Sequence, residues 1–161
     1  MPITKVAFVP LVPQRADGVC WCASALMLYK WSVATKRTLM KDPLSDSGMK
    51  HRWDNNKDWA SSDNNFLATT LRMKTLSAVP RDYAALNSLF QMRGPIWCAG
   101  KKMWGGGNHE HVVVICGAAD TGVFIHDPEP VNRGSSMWLT WDQLKKYTDG
   151  TSPLVQFLTA A

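Results

Sequence analysis

Nearly every residue from 20 to 31 is apolar, and these positions do not form the one-sided stripe of a surface helix. A helix that is apolar on all sides packs in the middle of a domain. The preceding residues 13–18 contain Pro, Asp and Gly, so we expect Asp17 or Gly18 to cap this helix. Cys20 then lies in the first helical turn, and the rest of the chain must wrap around the segment.

The periodicity of the sequence changes near residue 96. Before it lies an irregular polar stretch at 36–62, and then a Ser62-Asp63 cap and helical spacing predict helices through residue 71 and over residues 82–92. After it, β-rich runs predict an antiparallel sheet with strands at residues 96–99, 111–116, 123–126, 137–140 and 154–158. A turn at 117–122 joins the second and third strands, and Thr140 caps a helix at 141–147. This order is typical of an α+β fold, and we expect a single domain over residues 1–161.

The composition argues against two classes of partner. The net charge is +5, but Lys and Arg occur singly or in pairs, whereas a nucleic-acid surface clusters them, so we expect no nucleic acid. No apolar run approaches the roughly 20 residues that span a membrane, so we expect no membrane partner. The first residues lack the features of a secretory signal peptide, which predicts synthesis in the cytoplasm.

The four cysteines do not indicate a disulfide framework. Cys20 and Cys22 are too close in sequence to be bridged without severe strain. Cys98 and Cys116 lie inside apolar runs. We therefore interpret Cys22, Cys98 and Cys116 as buried, reduced thiols that pack as small apolar side chains.

Cys20 differs from the other cysteines because it lies at a helix start. A thiol is a strong nucleophile as the thiolate, which the positive end of a helix and a neighbouring imidazolium both favour. The candidate bases in the β-rich half are His109, His111 and His126. If His111 opens one strand and Asp127 ends its hairpin partner, the two meet at one edge of the sheet, while His126 points to the opposite face. We predict that His111 is the base and Asp127 its orienting group, with His109 as the second choice.

The same histidines allow a different interpretation. His109 and His111 are two residues apart on a strand, which points both imidazoles to one face, and with Asp127 or a cysteine they would form a zinc site. No Cys-x-x-Cys or His-Glu-x-x-His motif supports it. The neighbouring glycines at 105–107 lack the Lys-Ser/Thr ending of a phosphate loop and indicate a flexible cleft rim.

The segment around Cys20 resembles the papain-type active-site signature. Gln14 lies six residues before the pair Cys20-Trp21, which is followed by small residues and Ser24-Ala25. Residues 111–117 and 123–128 are similar to the His strand and the Asn/Asp strand of compact bacterial papain-like peptidases, which include effectors injected into other cells.

The resemblance implies a papain-like fold whose N-terminal helical half, with a central catalytic helix, packs on a C-terminal antiparallel sheet. It implies Cys20 as nucleophile, His111 as general base and acid, and Asp127 as its orienter. Gln14 and the backbone N–H of Cys20 would stabilise the oxyanion.

The sequence departs from the papain pattern at two positions and leaves residues 36–95 unmatched. Cys22 replaces a small residue, and the third member of the triad is Asp where papain has Asn. A papain-like site also has a Trp that shields the hydrogen bond between the base and its orienter. The candidates are Trp104, Trp138 and Trp141, and we expect Trp138 or Trp141 in that role.

The expected activity is a cysteine endopeptidase that cleaves protein substrates by acyl transfer and needs no metal or organic cofactor. Specificity would come from residues 36–62 and the Gly105 loop. The resemblance further implies an antibacterial toxin of type VI secretion, delivered into a target cell and restrained by a cognate immunity protein. Two alternatives stay open: a deamidase or transglutaminase acting on side-chain amides, and a peptidase-like binding module without turnover.

Overall fold

A computed structural model describes residues 2–37, 40–149 and 156–160 of the chain. These residues form helices and an antiparallel sheet, which confirms the predicted α+β class. The α-helices are α1 (Cys20–Ala34), α2 (Ser47–Asp54), α3 (Asn64–Leu71), α4 (Tyr83–Arg93) and α5 (Trp141–Thr148). The strands are β1 (Ile3–Lys5), β2 (Met73–Leu76), β3 (Ile96–Lys102), β4 (His109–Ala119), β5 (Gly122–Asp127), β6 (Ser135–Thr140) and β7 (Gln156–Ala160).

The sheet has the strand order β2-β7-β3-β4-β5-β6, and β1 pairs with the last residues of β4. All of these pairings are antiparallel. In the β4–β5 hairpin Val114 pairs with His126, and the register shifts between Ile115 and Gly117. This register brings the start of β4 and the end of β5 to the same edge of the sheet.

Helices cover both faces of the sheet. On one face α1 packs against β3, β4 and β7, and buried residues of α1 and α3 share one apolar cluster. On the other face α4 and α5 pack in a second cluster. The residues before 96 therefore supply β1 and β2 to the sheet and α4 to its second face. The predicted division into a helical half and a β-rich half does not include these two strands.

Helix α1 matches the predicted central helix, with buried residues on all of its sides. Its N-cap is Val19 and its first turn has no side-chain capping bond, so the prediction that Asp17 or Gly18 caps it is wrong. Gly18 has another role: its φ is +87°, and a Cβ there would lie 2.3 Å from Asp58 Oδ1. A glycine lets the loop carrying Asp58 approach the start of α1 closely.

The other predicted helices are confirmed, with differences at their ends. The side chain of Asp82 accepts from Ala85 N at the start of α4, and Thr140 forms a capping box with Gln143 at the start of α5. Asp63 is the N-cap of α3 but makes no side-chain capping bond. Helix α2 was not predicted because its sequence is mostly polar.

The predicted strands are also present, and most are longer than predicted. β4 begins two residues before His111 and ends at Ala119, so the turn predicted at 117–122 shrinks to residues 120 and 121. Residues 154 and 155 of the last predicted strand lie outside the described residues. None of the helices in the described part of the chain is long and apolar enough to cross a membrane.

Candidate active site

Cys20 is the first residue of α1, and its side chain is partly exposed in a cleft of about 530 Å³. Two hydrogen bonds fix this end of α1 against the sheet: Ser24 Oγ donates to Val112 O (3.2 Å), and Trp97 Nε1 donates to Trp21 O (3.0 Å). Because Val112 follows His111 in β4, these bonds set the distance between the thiol and the start of that strand.

His111 and Asp127 meet at the edge of the β4–β5 hairpin. His111 Nε2 lies 2.6 Å from Asp127 Oδ1, and the two side chains are 1% and 0% exposed. His111 lines the same cleft as Cys20, and the thiol is close enough to raise the pKa of the imidazole. Since Nε2 faces Asp127, Nδ1 is the nitrogen left for the thiol. The imidazole therefore lies between the thiol and the carboxylate.

Asp127 accepts hydrogen bonds from several donors besides His111. Its Oδ1 accepts from the backbone N–H of Glu129 (2.9 Å), and its Oδ2 accepts from Lys102 Nζ (2.9 Å) and Trp104 Nε1 (3.1 Å). A carboxylate with this many donors is fixed in position and held in its charged form. The ammonium of Lys102 supplies the countercharge that a buried Asp needs and an Asn does not.

Trp104 occupies the place expected for Trp138 or Trp141, and that expectation is wrong. Trp104 contacts Asp127 through its indole N–H and packs at 5.2 Å against the ring of Tyr147. Trp138 is 40% exposed and lies beside Phe124, and the indole of Trp141 donates to Asp120 O.

Glu129 adds a second carboxylate next to the imidazole. Its Oε2 accepts from Lys102 Nζ (2.6 Å), and its Oε1 lies 2.9 Å from His109 Nε2 and 3.6 Å from His111 Nδ1. Lys102 thus bridges Asp127 and Glu129, and the five side chains form one continuous network.

This network favours the charged forms of the His111–Asp127 pair. Burial opposes a charged imidazole, but the hydrogen bond to Asp127 and the neighbouring Cys20 side chain outweigh it and raise the pKa of His111 to about 9. Burial likewise opposes the Asp127 carboxylate, but the His111 hydrogen bond and charge, with Lys102, lower its pKa to about 2. At neutral pH the arrangement is an imidazolium held between a carboxylate and the Cys20 side chain.

Gln14 lines the same cleft as Cys20 and His111. Its backbone N–H donates to Pro128 O (2.9 Å), and its carbonyl accepts from Asn132 N (2.8 Å), so the segment is tied to the loop that follows Asp127. The side chain is buried, and its Oε1 has no hydrogen-bond partner among the described residues. The loop that follows Asp127 therefore fixes the position of Gln14 at the cleft.

The remaining candidate residues lie apart from the thiol. The ring of His126 hydrogen-bonds Ser136 Oγ (2.7 Å) and Val9 O (3.1 Å) and so belongs to a different set of contacts from His111. Cys22, Cys98 and Cys116 are buried, which raises the pKa of all three thiols, that of Cys116 to about 12. All four cysteines are free.

Residues 5–146 match the model of the family described as papain-like cysteine protease AvrRpt2. The chain belongs to this family. No curated protein matches the sequence in a direct comparison. Family membership makes the chain a papain-like cysteine peptidase, and a peptidase acts on protein substrates.

Sequence reasoning missed two residues of this papain-like peptidase, Lys102 and Glu129, and it ranked Trp104 below Trp138 and Trp141. Lys102 and Trp104 are 25 and 23 residues from Asp127, so no local spacing reveals their contacts. The sequence does contain an indication of Glu129, because this second acidic residue lies two positions after Asp127, between Pro128 and Pro130. Of the predicted specificity regions, Asp58 and Trp59 line the Cys20 cleft, whereas Gly105 borders a neighbouring pocket.

Proposed function

We propose that this peptidase is an endopeptidase with Cys20 as nucleophile, His111 as acid and base, and Asp127 as the orienting group. The observation that carries the proposal is the imidazole of His111, which bonds Asp127 at 2.6 Å and lines one cleft with Cys20. Such a connected series of nucleophile, base and orienter is the general signature of nucleophilic catalysis. The α1 start adds the positive end of a buried helix next to the thiolate.

In the proposed reaction the Cys20 thiolate attacks the scissile carbonyl, and the new C–S bond forms a tetrahedral oxyanion. His111 gives its Nδ1 proton to the leaving amine as the C–N bond breaks, which leaves a thioester. Water then attacks the thioester while the neutral imidazole takes one of its protons. The C–S bond breaks, the peptide acid leaves, and the thiolate–imidazolium pair is restored.

We assign oxyanion stabilisation to Gln14 and the backbone N–H of Cys20. The burial of Gln14 in the cleft wall and the anchoring of its backbone to the loop after Asp127 support this assignment. Donors fixed before the reaction stabilise developing charge without the cost of reorganisation.

The experiment that tests the proposal compares the proteomes of cells that express the wild type and C20A, by labelling new protein N-termini. We expect new N-termini that depend on Cys20 and persist in C22A, the matched control, because Cys22 is buried two residues away. Side-chain deamidation without new N-termini would replace the endopeptidase with an amidase that uses the same thiol. Loss of cleavage in C22A and not in C20A would reassign the nucleophile.

We further propose, from the family membership alone, that the peptidase is an effector delivered from one cell into another. Type VI delivery, antibacterial toxicity and a cognate immunity protein are the specific form we propose. Wild type, but not C20A, should then stop the growth of bacteria that express it, and a neighbouring gene product should bind it and restore growth. Equal toxicity of both variants would refute this form.

A further inference from the structure

Three potential metal ligands converge on the rim of the cleft. One atom each from His109, His111 and Glu129 lies within 4.8 Å of the other two. Glu129 Oε1 is 2.9 Å from His109 Nε2 and 3.6 Å from His111 Nδ1. In a tetrahedral zinc site with bonds of about 2.0 to 2.1 Å, ligand atoms are separated by about 3.3 Å. The observed distances lie on either side of this value.

We propose that Zn²⁺ binds His109 Nε2, His111 Nδ1 and Glu129 Oε1 and reversibly inhibits the peptidase. The two imidazoles and one carboxylate form a donor set that zinc uses in proteins. The metal takes the nitrogen of His111 that otherwise serves Cys20, so bound zinc and the acid–base role of this ring exclude each other.

The surroundings of His111 and Glu129 fit this role. Asp127 accepts from Nε2 of His111, so a metal that displaces the Nδ1 proton finds the ring oriented as in carboxylate–histidine–zinc triads. Lys102 holds the other oxygen of Glu129, Oε2, and so orients Oε1 towards the two rings. Because Lys102 also neutralises part of the carboxylate charge, we expect weaker binding than at a structural zinc site.

Cys20 is the natural fourth ligand. It lines the same cleft as His109, His111 and Glu129, and thiolate sulfur is a preferred ligand of zinc. His109 is the ligand that distinguishes this site from a simple Cys–His pair. Because its side chain is 45% exposed, the ring can carry its proton on Nδ1 and donate it to water while Nε2 binds the metal.

The test titrates the reduced, full-length protein with Co²⁺ as a spectroscopic probe and then displaces the Co²⁺ with Zn²⁺. We expect one tetrahedral Co²⁺ per chain, with visible absorption bands and a near-ultraviolet thiolate band. H109A should lower the affinity for both metals by about tenfold or more, because loss of a residue that supports a metal site lowers metal affinity by about this factor. H51A is the matched control, since His51 is an exposed histidine on α2, and should bind like wild type.

C20A separates the ligands further. It should lose the near-ultraviolet band and keep the visible bands, because the two imidazoles and the carboxylate remain. Zn²⁺ should also slow the alkylation of Cys20, at concentrations about tenfold lower in wild type than in H109A. Equal metal affinity in H109A and wild type, or absence of binding, would overturn the proposal. These absorption readouts do not depend on turnover, so they stand apart from a failure of the endopeptidase proposal.

Discussion

Replacing Lys102 with Met would leave two carboxylates without the cation that they share. The Lys102 side chain is 9% exposed, and those of Asp127 and Glu129 are 0% and 20% exposed, so water can replace little of the lost interaction. Breaking a buried ion pair by removing one partner costs about 3 to 5 kcal/mol. Asp127 keeps its bonds to His111 and Trp104, so we expect the lower end, a loss of about 3 kcal/mol in the free energy of unfolding.

Urea unfolding followed by tryptophan fluorescence measures this loss. With a denaturant slope of about 2 kcal/mol per molar, the midpoint of K102M should fall by about 1.5 M. K146M is the control, because Lys146 forms an exposed ion pair with Asp142 (3.1 Å) and its loss should change little. K102M/E129Q should recover part of the loss, since the amide carries no charge. A midpoint shift in K102M no larger than that in K146M would refute the role of Lys102 as countercharge.

Three further predictions use the same unfolding measurement. W104F removes the 3.1 Å bond to Asp127 and should cost about 2 kcal/mol, and an unchanged midpoint would show that the bond contributes nothing. His111 has a pKa raised from 6.5 to about 9, so the stability that it supplies should be complete below pH 6.5 and lost as the pH rises through 9. H111N should lack this loss, and an identical pH dependence in both proteins would contradict the prediction. G18A should be destabilised by about 1 to 2 kcal/mol, because φ is +87° and the new Cβ would meet Asp58 at 2.3 Å; a midpoint equal to that of wild type would mean that the backbone adjusts freely.

The parts of the fold that could be predicted are those with strong local patterns. The apolar stretch from residue 20 fixes α1, and the capping residues Asp82 and Thr140 mark the starts of α4 and α5. The short strands β1 and β2 give no such pattern. Only three and four residues form them, and they exist because β4 and β7 offer them free edges.

The residues of the candidate site likewise fall into those that a local pattern predicts and those that it does not. His111 and Asp127 belong to one hairpin, so alternation along two adjacent strands was enough to bring them together. Lys102 comes from β3, across the sheet, and its bond to Asp127 depends on the pairing of β3 with β4, which a single sequence does not specify. The countercharge to Asp127 is therefore a property of the tertiary structure alone.

The central claim, that His111 activates Cys20 as a nucleophile, is tested most directly by the rate of alkylation with iodoacetamide at about pH 6, where ordinary thiols are largely protonated. Peptide mass spectrometry identifies the labelled residue. We predict that Cys20 in the wild type reacts faster than free N-acetylcysteine, that H111A abolishes the difference, and that buried Cys22 stays unlabelled. A Cys20 rate equal to that of the free thiol, or unchanged in H111A, would contradict the claim.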